Sequence, residues 1–207
     1  TARTRGDSFT IDGRAIGPDH PVFIIAEIGN NHNGSFELAK QLVDEAVAAG
    51  ADCAKFQMRD LASLYRNSGN ANDAREDLGS QYTLDLLSKH QLPPDQQFKI
   101  FDYCRQRGIM PLCTPWEQQS LAALDSYGLG GFKVASADLT NHDFLEALAK
   151  TGKPLILSTG MSTEAEILDS IRLLKQKGAQ FALLHCNSTY PAPFKDLNLK
   201  YIPKLKR

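Results

Sequence analysis

Short unbroken runs of apolar residues alternate along this chain with longer stretches whose apolar positions recur every three or four residues. VFIIAEI at 22–28 is such a run, rich in β-branched residues, and predicts a strand buried on both faces. Upstream, FTIDGRAIG at 9–17 places two small apolar groups around Asp12-Gly13, the pair that a tight hairpin turn favours. Downstream, the loop GNNHNG leads to Ser35, placed to cap a helix running to about Ala49 with Leu38, Leu42, Val43 and Ala46 on one face. The alternation then repeats. Strands are predicted at 51–57, 109–114, 132–136, 154–159 and 181–186, and helices over about 82–90, 94–107, 115–127, 142–151 and 163–177. Between 58 and 80 the chain is polar with little periodicity, and 66–77 reads as a solvated loop or a lid.

Strand, loop and helix thus recur six times, which implies a parallel sheet with helical crossovers. An open doubly wound sheet and a closed barrel both fit that alternation. No GxGxxG follows the first long strand, and polar residues sit at the C-terminal ends of many strands rather than at one switch point. Both features favour the barrel. The expected class is therefore α/β, a (β/α)8 TIM barrel represented by about six βα units, with an N-terminal β-hairpin. Residues 1–20 are expected to form the hairpin extension and 21–207 a partial barrel. Six units of a class that needs eight leave two open edges, so a chain of this length is expected to aggregate or to need partners.

Composition narrows the function classes. The 207 residues carry a formal net charge of −1, which gives no electrostatic footprint for nucleic acid or an anionic membrane. No apolar run is long enough to span a bilayer, and no signal peptide is visible at the start. Cys53, Cys104, Cys113 and Cys186 include no CxxC pair and read as reduced thiols, which suits a cytoplasmic protein. The first residue is Thr1, so a processed or trimmed start is expected.

In a parallel barrel the C-terminal ends of the strands form the active face. Glu27, Asn30, Lys55, Gln57, Thr114, Lys133, Ser136, Asp138, Ser158, Thr159, His185, Asn187, Ser188 and Tyr190 fall there. Glu27, inside a strand, reads either as the partner of a neighbouring lysine or as a base or hydroxyl acceptor. Lys55 and Lys133, each flanked by apolar residues, suit a pocket for a carboxylate or phosphate. A Schiff-base role and a lysine snorkelling from a strand end stay open for each. Thr114 begins TPWE, which also reads as a capping box with Glu117 at its third position. Ser158-Thr159-Gly160, ahead of a capping box formed by Thr163 and Glu166, offers hydroxyls and amides to an anion. His32 reads as a solvated loop residue and His185 as a hydrogen-bonded core histidine. No HxH or HExxH spacing is present.

FIIAEIGNNHNG, GADCAKFQ, CTPW, FKVASADLTN, KPLILSTGMS and LLHCNSTYPAPFKDLNL stand in an order and spacing that resemble the sialic acid synthases, the wider family that makes nonulosonic acids. The resemblance spans about residues 10–207. It implies condensation of phosphoenolpyruvate with an N-acetylmannosamine-type amino sugar. Carbon 3 of phosphoenolpyruvate attacks the open-chain aldehyde, water adds at carbon 2, and phosphate leaves by C–O cleavage. It implies that Lys55, Thr114, Lys133, Ser136, Ser158, Ser188 and Tyr190 surround phosphoenolpyruvate or the join between the substrates. Glu27 and Asn70 would contact the acceptor, and Asp138 would handle water or a proton. It also implies a divalent metal, Mn²⁺ or Mg²⁺, held by two histidines beyond Arg207. A homodimer is implied too, in which a C-terminal antifreeze-like domain lends an arginine to its partner.

Some positions depart from the family's commonest pattern. Ala137-Asp138 stands where Gly-Glu is frequent, Trp116 where Phe is frequent and Met58 where Thr is frequent. The first change keeps an acid, and the other two bear on which sugar is accepted. The alternatives are a Schiff-base aldolase using Lys55 or Lys133, a 3-deoxy-sugar-phosphate synthase, and a non-catalytic barrel that binds sugars.

Overall fold

In the computed structural model, residues 8–64 and 78–206 are described, 78–82 as backbone only. The chain falls into two compact units, one of Pro21–Leu129 and one built from the segments on either side of it.

The hairpin opens the flanking unit. β1 (Phe9–Ile11) pairs antiparallel with β2 (Arg14–Ile16). Asp12 and Gly13 both take positive φ, 48° and 81°, as the two-residue turn requires. Ile11 is fully buried, so the hairpin is anchored and not a loose arm.

The Pro21–Leu129 unit holds three parallel strands in chain order: β3 (Ile25–Gly29), β4 (Cys53–Met58) and β5 (Met110–Pro115). Between β3 and β4 runs α1 (Phe36–Ala48), capped by Ser35, whose hydroxyl accepts from Leu38 N–H. Its buried face is Ala39, Val43 and Ala46. α2 (Leu61–Leu64), α3 (Leu78–His90) and α4 (Pro94–Gln106) lie between β4 and β5. α5 (Gln118–Tyr127) follows β5. β4 is buried from Cys53 to Phe56, as expected for a central parallel strand. β3 departs from that expectation. Val22 is 76 % exposed and Ile24 51 %. β3 pairs with β4 along one side, so its other side and its N-terminal approach face outward.

In the flanking unit three more parallel strands follow one another: β6 (Phe132–Val134), β7 (Leu155–Ser158) and β8 (Phe181–Leu184). α6 (His142–Lys150) connects the first two and α7 (Glu164–Gln176) the next. α6 buries Phe144, Leu145 and Leu148, and α7 buries Ile167, Ser170 and Leu174. The Thr163–Glu166 capping box forms as expected. α8 (Ile202–Leu205) ends the unit.

Each βα unit places its strand's C-terminal end next to a loop, as in the barrel class. The four cysteines are free, and Cys53, Cys104 and Cys113 are buried. Burial pushes the Cys104 thiol up to about 12 and those of Cys53 and Cys113 higher still. No helix among the described residues is long and apolar enough to cross a membrane.

Candidate active site

Two clusters of polar side chains stand at strand ends, one in each unit. In the Pro21–Leu129 unit, parallel register sets Glu27 beside Lys55 and Gln57 beside Thr114. The Lys55 ammonium meets the Glu27 carboxylate at 2.6 Å. Lys55 is 5 % exposed, yet the Glu27 side chain is 55 % exposed. Glu27 is therefore not the buried carboxylate that its apolar flanks suggest. A kink between Glu27 and Gly29 breaks the ladder there, and the carboxylate reaches out from an edge strand. It pairs with lysine, as one of its two readings has it, and keeps an accessible face.

Thr114 is buried inside β5 and does not cap a helix. The strand continues through Pro115, and the cap falls to Glu117, which accepts from Ser120 N–H at 2.9 Å and also pairs with the Ser120 hydroxyl. The capping-box reading of TPWE fails because Trp116 bonds back to the Met58 carbonyl and prolongs the sheet. His32 is also misplaced by the sequence reading. It is fully buried, takes a hydrogen bond from Gly34 N–H at Nδ1, and lies near the Phe56 ring. Burial lowers its pKa, opposed by the Gly29 carbonyl. The polar look of GNNHNG reflects a tight turn that folds the imidazole inward, not a solvated loop.

In the flanking unit the centre is Lys133, 6 % exposed. Its ammonium donates to Ser158 Oγ at 2.6 Å and to the Val134 carbonyl at 2.8 Å. The Cys186 thiol donates to the same Ser158 Oγ at 3.2 Å. Ser136, in a short 3-10 turn of Ser136–Asp138, accepts at Oγ from Gly160 N–H at 3.2 Å. A Cβ on Gly160 would stand 3.0 Å from Ser188 Oγ, so glycine lets that hydroxyl close in. Lys133, Ser136, Ser158 and Ser188 thus gather around one turn, with Asp138 half-buried at the end of the 3-10 turn. The Thr159 hydroxyl is spent on the Leu184 carbonyl and the Gly160 amide on Ser136. This turn therefore offers an anion fewer donors than its sequence suggests. Tyr190 is 90 % exposed. His185 bonds the Leu197 carbonyl at 2.7 Å, as expected of a hydrogen-bonded histidine. Asn70 lies outside the described residues.

The sequence reading missed Cys186 and Arg59. Arg59 continues the alternate-residue row Lys55, Gln57, Arg59, a period-two signal that was available in KFQMR.

A model of the family described as NeuB matches residues 42–207. The chain belongs to the NeuB family. It is 35 % identical over 195 residues to N,N'-diacetyllegionaminic acid synthase of Campylobacter jejuni, covering 88 % of this chain and 56 % of that one. It is 31 % identical to N-acetylneuraminate-9-phosphate synthase of Mus musculus, covering 94 % and 55 %. A solved N-acetylneuraminic acid synthetase from Leptospira borgpetersenii, in complex with citrate, superimposes with a TM-score of 0.86 at 32 % identity, over 97 % of this chain and 66 % of that one. The NeuB-family chain has the (β/α) barrel fold expected from its sequence, as six βα units with a hairpin. It spans about half the length of the curated relatives it matches.

Among the described residues, no three His, Cys, Asp or Glu side chains come together as a metal group would require. The divalent ion that the resemblance implies would take its two histidines from beyond Arg207.

Proposed function

We propose that the protein containing this chain condenses phosphoenolpyruvate with an N-acetylated amino sugar to give a nonulosonic acid and inorganic phosphate. The observation that carries the reading is Lys133. A buried ammonium is costly, and this one is directed by the Ser158 hydroxyl and the Val134 carbonyl. Such a group suits the carboxylate or phosphate of phosphoenolpyruvate.

In this reading Lys133, Ser136, Ser158 and Ser188 bind phosphoenolpyruvate, and Lys55, Thr114 and Tyr190 serve it or the join between the substrates. Glu27 and Asn70 take the acceptor, and Asp138 moves a proton. A bond forms between carbon 3 of phosphoenolpyruvate and the aldehyde carbon of the open-chain sugar. Water supplies an oxygen to carbon 2, and the C–O bond to phosphate breaks. Residues 1–20 are the hairpin extension and 21–207 part of the catalytic barrel. We further propose a homodimer in the cytoplasm, a need for Mn²⁺ or Mg²⁺, and small molecules rather than nucleic acid or membranes as partners.

The test is phosphate release by the whole protein given phosphoenolpyruvate, Mn²⁺ and a panel of N-acetylated sugars. Release that depends on one sugar, with the label of ¹⁸O-bridged phosphoenolpyruvate found in phosphate, is expected. A lysine trapped by borohydride with pyruvate, or no release with any sugar, overturns the reading.

A further inference from the structure

Cys186 differs from the other three cysteines. Cys53, Cys104 and Cys113 are buried, whereas Cys186 is half-buried and lies two residues past the end of β8. Its backbone is held against the turn that follows β7. The Thr159 N–H and hydroxyl both donate to the Leu184 carbonyl, and a Cβ on Gly160 would stand 3.0 Å from the Cys186 carbonyl oxygen. The thiol therefore reaches Ser158 Oγ, at 3.2 Å, from a fixed backbone.

That contact sets the role of one hydroxyl. A serine oxygen has two lone pairs and one hydrogen. An ammonium can only donate, so Ser158 Oγ accepts from Lys133 at 2.6 Å along one lone pair. The Cys186 thiol donates along the other. Among the described residues both partners of the Ser158 hydroxyl are thus donors, and neither takes its hydrogen. Ser158 is 6 % exposed and stands at the C-terminal end of β7. A buried O–H that meets no acceptor is costly. An anion arriving at the strand end brings the acceptor oxygen that this hydrogen needs. Without the thiol, one lone pair is unfilled, and rotation about the Cβ–Oγ bond can turn the hydrogen elsewhere.

We propose that Cys186 is a positioning residue: its thiol fills the second lone pair of Ser158 and so turns the Ser158 hydrogen toward phosphoenolpyruvate, as a donor to a carboxylate or phosphoryl oxygen. The inference rests on the condensation proposed above, in which Ser158 binds that substrate. A thiol is a weak donor, so Cys186 acts on the direction of the Ser158 hydrogen more than on the stability of the fold.

The experiment is calorimetry of phosphoenolpyruvate binding to the whole protein, followed by KM for each substrate. Cys186→Ala should raise Kd and KM for phosphoenolpyruvate about 2- to 10-fold, the loss of one neutral hydrogen bond. It should leave KM for the sugar unchanged. Cys186→Ser, which restores a donor, should return Kd to within about 2-fold of the wild type. In a Ser158→Ala background Cys186→Ala should have no further effect, because no hydrogen is left to direct. An unchanged Kd in Cys186→Ala overturns the inference. So does an equal loss toward both substrates, or the same loss in the Ser158→Ala background. Should Cys186→Ala fail to fold, the infrared S–H stretch of Cys186, assigned by its absence in Cys186→Ser, decides. A band shifted down in the wild type and restored in Ser158→Ala supports the contact, and an identical band in the two overturns it. A wild type that does not bind phosphoenolpyruvate removes the condensation reading and this inference with it, whereas equal binding by wild type and Cys186→Ala removes this inference alone.

Discussion

The Lys133–Ser158 contact allows a prediction whose size follows from the geometry. Ser158→Ala removes the hydroxyl that accepts the Lys133 ammonium at 2.6 Å. Lys133 is 6 % exposed, so water has little access to replace the lost partner. A hydrogen bond to a charged group contributes about 1.5–3 kcal/mol. The Cys186 thiol loses the same acceptor, but it is a weak donor and adds little. Ser158→Ala should therefore cost about 1.5–3 kcal/mol. At roughly 2–4 °C per kcal/mol for a domain of this size, Tm should fall by about 3–12 °C. In a Lys133→Met background no ammonium is left to strand, and the same Ser158→Ala change should cost less than about 0.5 kcal/mol. The assay is urea unfolding of the wild type, both single variants and the double variant, in the whole protein. Equal cost of Ser158→Ala in the two backgrounds would refute the claim that Ser158 carries the lysine's hydrogen bond. The same four proteins give an independent reading of the site. The KM for phosphoenolpyruvate should rise steeply in Lys133→Met even where that variant is no less stable.

Two further outcomes are expected. Gly34 has φ of +77°, and a Cβ there would lie 2.6 Å from the backbone carbonyl of Lys89, so Gly34→Ala should cost at least about 2 kcal/mol from left-handed strain and the clash together; a Tm within 2 °C or so of wild type would contradict this. The Glu166 carboxyl is held low by the N–H and hydroxyl of Thr163, and that of Glu146 by Lys177. Depressed carboxylates stabilise the fold above their unfolded value of about 4.3, and that stability is lost as pH falls through the folded values. Urea midpoints should thus decline below about pH 4.3, less steeply in Glu166→Gln, and an unchanged slope in that variant would count against the Thr163 contacts as the cause.

The fold was legible because its two periods are distinct. Runs such as ADCAKFQ and PLILST can only be strands between helical stretches, and the observed elements match them to within a few residues. Glu117 and His32 were not legible, for a shared reason. Each depends on where a neighbouring segment sits. Trp116 is drawn into the sheet by the Met58 carbonyl, which moves the cap from Thr114 to Glu117. His32 is folded inward by a turn whose residues all look polar. Glu27 shows the converse error. Apolar flanks suggest burial, but a strand paired on one side leaves the carboxylate half in solvent. Local pattern reports the face a residue occupies. It does not report whether another element covers that face.

The two lysines illustrate what that difference does to chemistry. Both are buried at strand positions and flanked by apolar residues, so the sequence presents them as equivalents. Their surroundings are not equivalent. Lys55 is matched to a carboxylate at 2.6 Å, so an arriving anion competes with Glu27 for it. Lys133 is directed by a hydroxyl and a carbonyl, which orient the ammonium. The attraction of an anion to Lys55 is therefore reduced by the carboxylate already there. Removing the Glu27 charge should strengthen anion binding at Lys55, whereas removing the Ser158 hydroxyl should loosen the aim of Lys133.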